Sequence, residues 1–138
     1  MQALRDAILS QEPEAWTEQQ HRQQEFDVHR QTESIVLLFC DEDWPDGEVY
    51  REAGWDRLAD VAMPLIDHII ETHYEPGGTV LRAMAAKLRA GALIKTHYDS
   101  GSSFYLGHRI HLPIQTNRSV RFTIDGVPYP FEVGQALS

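Results

Sequence analysis

Arg109-Ile110-His111-Leu112-Pro113-Ile114-Gln115-Thr116 alternates apolar with polar side chains, which places Ile110, Leu112 and Ile114 on one face of a strand and Arg109 and His111 on the other. The period continues downstream, where Val120, Phe122 and Ile124 alternate with Ser119, Arg121 and Thr123. Asp125-Gly126 then supplies a two-residue hairpin turn, and Tyr129, Phe131 and Val133 carry the alternation past it. Strands of this kind are wetted on one side, so the C-terminal third is expected to form an antiparallel sheet with one polar and one apolar face.

Working back from that sheet, residues 79–90 are ambiguous. Val80, Met84 and Leu88 recur every four residues in an Ala-rich segment, and by propensity this is helix. Only Gly91 separates it from Ala92-Leu93-Ile94, where the pattern turns to β. Residues 56–74 carry Leu58, Val61, Ala62, Leu65, Ile66, Ile69 and Ile70 at the spacing of an amphipathic helix. Pro64 inside it is expected to kink the helix, or to end one near Ala62 and start another. Ser34-Ile35-Val36-Leu37-Leu38-Phe39-Cys40 reads as a buried strand and the first element of the core. Ahead of it, residues 2–24 offer only Leu4, Ala7, Ile8 and Trp16 as sparse apolar points, with Pro13 suited to a helix's first turn. They are expected to form one or two surface helices in a peripheral arm.

The chain of 138 residues fits one domain with a single hydrophobic core. A net charge of −9 disfavours nucleic acid and anionic membrane as partners, because both require a basic face. Cys40 is the one cysteine, which rules out an intrachain disulfide and suits a reducing compartment. The first residues lack a signal-peptide pattern and no apolar run is long enough to span a bilayer, so the expected location is cytoplasmic.

The chemistry is expected at Thr96-His97-Tyr98-Asp99. Residues two apart on a strand share a side, so the His97 imidazole and the Asp99 carboxylate can converge on one borderline divalent metal. With seven His and 21 acidic residues, chance supplies about one such triplet, and His73-Tyr74-Glu75 is a second. That rival sits at a helix end, where residues two apart do not face each other and an imidazole acts as a C-terminal cap. The acidic run from Asp41 to Glu48 fails as a calcium loop because Pro45 falls at a ligand position, leaving a solvated loop. His68 and His108 are read as structural or surface residues. Arg109 and His111 share a face by the same two-residue rule, Arg109 offering a fixed cation for an anionic cosubstrate and His111 a donor or a further metal ligand.

The run Leu88-Arg89-Ala90-Gly91-Ala92-Leu93-Ile94-Lys95-Thr96-His97-Tyr98-Asp99 precedes Arg109-Ile110-His111-Leu112-Pro113, Val120-Arg121-Phe122 and Phe131-Glu132-Val133-Gly134-Gln135. In this order and spacing it resembles the aspartyl/asparaginyl β-hydroxylase family of Fe(II)- and 2-oxoglutarate-dependent dioxygenases. The resemblance covers about residues 30–138. It implies a mixed α+β, mainly β fold: a double-stranded β-helix, or cupin-like jelly roll, over 34–138, with packing helices and a helical arm over 1–33. It also implies that 79–90 is largely strand, overriding propensity. His97 and Asp99 would be metal ligands, with Arg109 and His111 near 2-oxoglutarate and metal. The activity implied is hydroxylation of an amino acid, free or within a peptide, using O2.

The same resemblance expects a second metal His, and an Arg for the distal carboxylate of 2-oxoglutarate, after the position of residues 134–137. The chain therefore reads as C-terminally truncated, with His111 as a substitute ligand and an unpaired sheet edge open to homo-oligomer formation. Two other classes stay open. A non-catalytic cupin-like module would hold a small anion at Arg109 and His111 without metal, and a purely structural domain would form a ligand-free oligomer.

Overall fold

The structure is a computed structural model, and it describes residues 1–17, 32–40, 48–88, 109–117, 119–120, 122–124 and 127–136. Strand β1 (Thr32–Cys40) is its centre. Ile35, Val36, Leu37 and Leu38 are all buried, as expected of an aliphatic run with no polar face. β2 (Val49–Arg51) pairs antiparallel along one edge, in the register Leu38↔Arg51 and Cys40↔Val49. β3 (Ala83–Leu88) pairs antiparallel along the other, from Thr32↔Leu88 to Leu38↔Ala83, giving the order β2-β1-β3. The register slips between Val36 and Leu38, so Leu37 is the extra residue of a β-bulge. Its carbonyl accepts instead from the Glu52 amide at 2.9 Å.

Among the described residues two α-helices lie with this sheet. α1 (Gln2–Leu9) is followed by a 3-10 turn (Pro13–Trp16) with Pro13 in its first turn. α2 (Gly54–His73) runs for 20 residues. Leu4, Ile8, Ala15 and Trp16 form one buried cluster with Ile35 and Leu37 of β1 and Leu58 and Ala62 of α2. The beginning of the chain is thus half of the core rather than a peripheral arm. Its sparse apolar residues suffice because Leu4 and Ile8 are one helical turn apart and Trp16 alone covers a large area. Ser34, Val36, Leu38 and Cys40 are buried as well, although they lie outside that cluster, so β1 is covered on both faces.

One further expectation holds and two change. Residues 83–88 are strand, as the family resemblance implied and against propensity, because pairing with β1 outweighs the few tenths of a kcal/mol per residue by which alanine prefers helix. α2 is a single helix through Pro64, neither ended at Ala62 nor restarted; Pro64 is exposed, so water can solvate the carbonyl that its missing N–H leaves unpaired. Residues 109–116 are not a ladder strand, and only His111 makes a β-bridge. Pro113 within them is buried and has no N–H to give; its carbonyl accepts from Gly134 at 3.0 Å. Leu112 and Ile114 do pack against the core, whereas Ile110 is exposed. Downstream, β4 (Thr123–Ile124) and β5 (Val127–Pro128) pair as a hairpin about two residues, in the register Ile124↔Val127. Asp125 and Gly126 themselves lie outside the described residues. Among the described residues the β structure is thus one three-stranded sheet and one two-stranded hairpin. No helix there is long and apolar enough to cross a membrane.

The N-terminus of α2 is pressed onto β1 at Gly54. A Cβ at that position would lie 2.5 Å from the Val36 carbonyl oxygen and 2.6 Å from Ile35 Cγ2. Gly54→Ala is therefore expected to cost about 1–3 kcal/mol of stability, read from the urea midpoint; an unchanged midpoint would place the helix end elsewhere. Pro64→Ala restores one helical hydrogen bond on an exposed face and is expected to raise stability by about 1–3 kcal/mol in the same assay.

Candidate functional site

The segment carrying Arg109 and His111 is held from three directions. Leu112 and Ile114 pack on the core, Arg5 of α1 donates from Nε to the Ile114 carbonyl at 3.2 Å, and the Gly134 amide donates to Pro113. Gly134 has φ 81° in a tight turn closed by the Gln135 amide on the Glu132 carbonyl at 3.1 Å. That is the conformation of a type II turn, for which glycine is the fitting residue. His111 and Arg109 therefore extend from a backbone with little room to shift.

His111 is half-buried and meets the ring of Phe122 edge-on, with centroids 5.2 Å apart and planes at 62°. Phe122 stacks in turn on Phe131 at 4.8 Å and 10°. Edge and stacked geometries are those favoured by the ring quadrupole, so the imidazole plane is fixed on one side. Burial first, and the nearby charge of Arg109 second, lower the His111 pKa below the usual imidazole range. At neutral pH it is then an uncharged ring with one N–H donor and one lone pair.

Arg109 presents surface to solvent, yet burial of its guanidinium is the larger cause lowering its pKa, with the like charge of Arg82 the smaller. An arginine starts so far above neutral that it stays a cation. Arg82 stands one residue before β3, where its Nε donates to the Cys40 carbonyl at 2.8 Å and its guanidinium lies 4.7 Å over the Phe39 ring. Arg82 is thus near enough to Arg109 to act on it by charge, and Arg109 on the neutral His111.

Of the four residues singled out from the sequence, Arg109 and His111 are brought together. His97 and Asp99 lie outside the described residues, as do His108 and the acidic residues from Asp41 to Asp46. Among the described residues no three His, Cys, Asp or Glu side chains are grouped to hold a metal. His68 and His73 are exposed on α2, with His73 its last residue. Sequence reasoning missed Arg82. Its only local mark is a basic side chain just ahead of an Ala-rich run, and its place beside Cys40 follows from the β1–β3 register. Beside the aromatic stack an open cleft of about 420 Å³ is lined by Thr116, Asn117, Tyr129, Phe131 and their neighbours.

Compared with known proteins, the chain matches the family described as aspartyl/asparaginyl beta-hydroxylase over residues 4–138. No curated protein and no solved structure matches it.

A depressed folded-state pKa means that the unfolded chain takes up the His111 proton more readily. The stability present above about pH 6.5 is therefore lost as pH falls below that value and towards the folded-state pKa. The His111 ring signals in an NMR titration are expected to have their midpoint below about 6.5. His111→Gln is expected to flatten the acid side of the stability profile; a midpoint at or above the usual value would contradict the buried setting.

Proposed function

The chain belongs to the aspartyl/asparaginyl beta-hydroxylase family, and on that footing we propose that it is an Fe(II)- and 2-oxoglutarate-dependent hydroxylase of an amino acid, free or within a peptide. The observation that carries this reading is the pairing of Arg109 with a neutral His111 on one immobilised segment. The cation fits the carboxylate end of an oxo-acid. The uncharged imidazole fits a neighbour of a metal, because it can donate one hydrogen bond and still keep a lone pair. Burial of β1 on both faces supports the two-layered jelly roll that such an enzyme requires. In this reading residues 34–138 form the dioxygenase domain, with the N-terminal elements packed on it.

His97 and Asp99 would hold the iron, an imidazole and a carboxylate being the donor types of the facial triad. His111 or a residue outside the described ones would complete the set. Fe(II) and 2-oxoglutarate, when bound, supply the activation of O2 that yields succinate, CO2 and a hydroxylated C–H bond. The chain's own residues contribute position and dryness. Arg109 orients the cosubstrate by its charge, His111 donates from a fixed ring edge, and Phe122 and Phe131 keep water from its flank. A reducing cytoplasm, which the buried thiol of Cys40 suits, would keep the iron ferrous.

Aerobic incubation with Fe(II), 2-oxoglutarate and a range of amino acids and peptides is expected to give succinate, and His97→Ala to abolish it. Binding of Fe(II) with 2-oxoglutarate no tighter than in His97→Ala would sink the proposal. The two neighbouring guanidinium groups favour one other reading, a metal-free anion-binding module. It would show as small-anion binding that is indifferent to metal and to His97.

A further inference from the structure

Residues 109–116 form no ladder, so their carbonyls take donors from elsewhere in the fold. Pro113 receives the Gly134 amide, and Ile114 receives Nε of Arg5, 109 residues earlier in the chain. The two donors stand on different ground. Gly134 belongs to an exposed turn, whereas Arg5 is carried by α1, whose Leu4 and Ile8 are buried with Ile35, Leu37, Leu58 and Ala62. Arg5 lies three residues before Ile8, on the margin of that apolar stripe, and is itself half-buried. Its stem can therefore run along the core while its guanidinium reaches the carbonyl.

Packing of Leu112 and Ile114 fixes the depth of the segment, but apolar contact has no direction and leaves sliding along the core open. A hydrogen bond from a charged donor is directional and stronger than a neutral one. Between the carbonyl that Arg5 holds and His111 lie Leu112, which is packed, and Pro113, whose ring locks φ. We propose that Arg5 is a positioning residue for the site: it fixes the register of the segment against the core, and thereby the places of His111 and Arg109. The beginning of the chain then belongs to the functional unit as well as to the core. What it serves chemically rests on the cosubstrate reading above.

Methionine and glutamine both match arginine in length as far as the ε position, but only glutamine has an N–H there. Arg5→Met is therefore expected to loosen the segment and Arg5→Gln to keep it. Two measurements on the full chain decide. In the ligand-free protein, NMR at constant pH is expected to show the His111 ring protons shifted by the ring current of Phe122. That shift is expected to shrink in Arg5→Met and to persist in Arg5→Gln. Calorimetry with Mn(II) is expected to show 2-oxoglutarate bound about fivefold more weakly by Arg5→Met, the worth of one net hydrogen bond, and within about twofold of native by Arg5→Gln. Lost stability alone would lower the bound stoichiometry and leave the affinity unchanged. Should Arg5→Met lose its cooperative melt, Arg5→Leu, a strong helix former without a donor, carries the same expectation. An unchanged ring shift or an unchanged affinity in Arg5→Met, or equal losses in Arg5→Met and Arg5→Gln, overturns the positioning role. A native chain that binds no 2-oxoglutarate overturns the cosubstrate reading and leaves the ring shifts of the variants to decide the role of Arg5.

Discussion

Every described element with a share in the core depends on β1 being paired along both edges. A strand with Ser34 through Leu38 and Cys40 all buried cannot leave its amides and carbonyls to water, and an unpaired buried backbone group costs on the order of 1–3 kcal/mol. β2 and β3 supply the partners. The bulge at Leu37 sends one carbonyl to Glu52 instead, at the chain's approach to α2, and so ties the bulge to the start of the long helix. Gly54 completes the fit, since only a residue without Cβ lets the helix end come this close to Val36.

β1 and α2 were legible in the sequence because each declares itself locally, one by an unbroken aliphatic run and the other by a stripe at helical spacing. β3 was not legible from its own residues. Ala83, Ala85 and Ala86 prefer helix, and they are in a strand because β1 offers an edge and the N-terminal elements need a low floor to pack on. The alternation over 109–116 was right about burial for Leu112 and Ile114 and wrong about hydrogen bonding. Side-chain parity is one property and ladder formation another, and Pro113 separates them. Parity brought Arg109 and His111 together, whereas His97 and Asp99, paired by their spacing, lie outside the described residues. Arg82 has no such signature, because what gives it meaning is the residue opposite it in the sheet.

The local field and the net charge point in opposite directions, and distance decides which matters. The chain carries −9 overall, which would repel a dianion from afar. At physiological ionic strength, however, the Debye length is about 8 Å, so exposed carboxylates farther away than this are largely screened. Arg82 and Arg109 act at short range through partly buried surroundings, where screening is weak. Their effect on one another and on the His111 ring is therefore local, whatever the overall charge.

The aromatic stack links this field to the end of the described chain. His111 rests on Phe122 and Phe122 on Phe131, while Gly134, three residues on, holds the Pro113 carbonyl. Residues 131–134 therefore grip the segment 111–113 twice, through a ring and through the backbone. A side chain on a backbone held only by one end could swing to relieve the repulsion from Arg82. With both grips in place the backbone that carries Arg109 and His111 keeps its position. The lowered pKa of His111 belongs to that arrangement, since a ring held half-buried against Phe122 does not turn out to water.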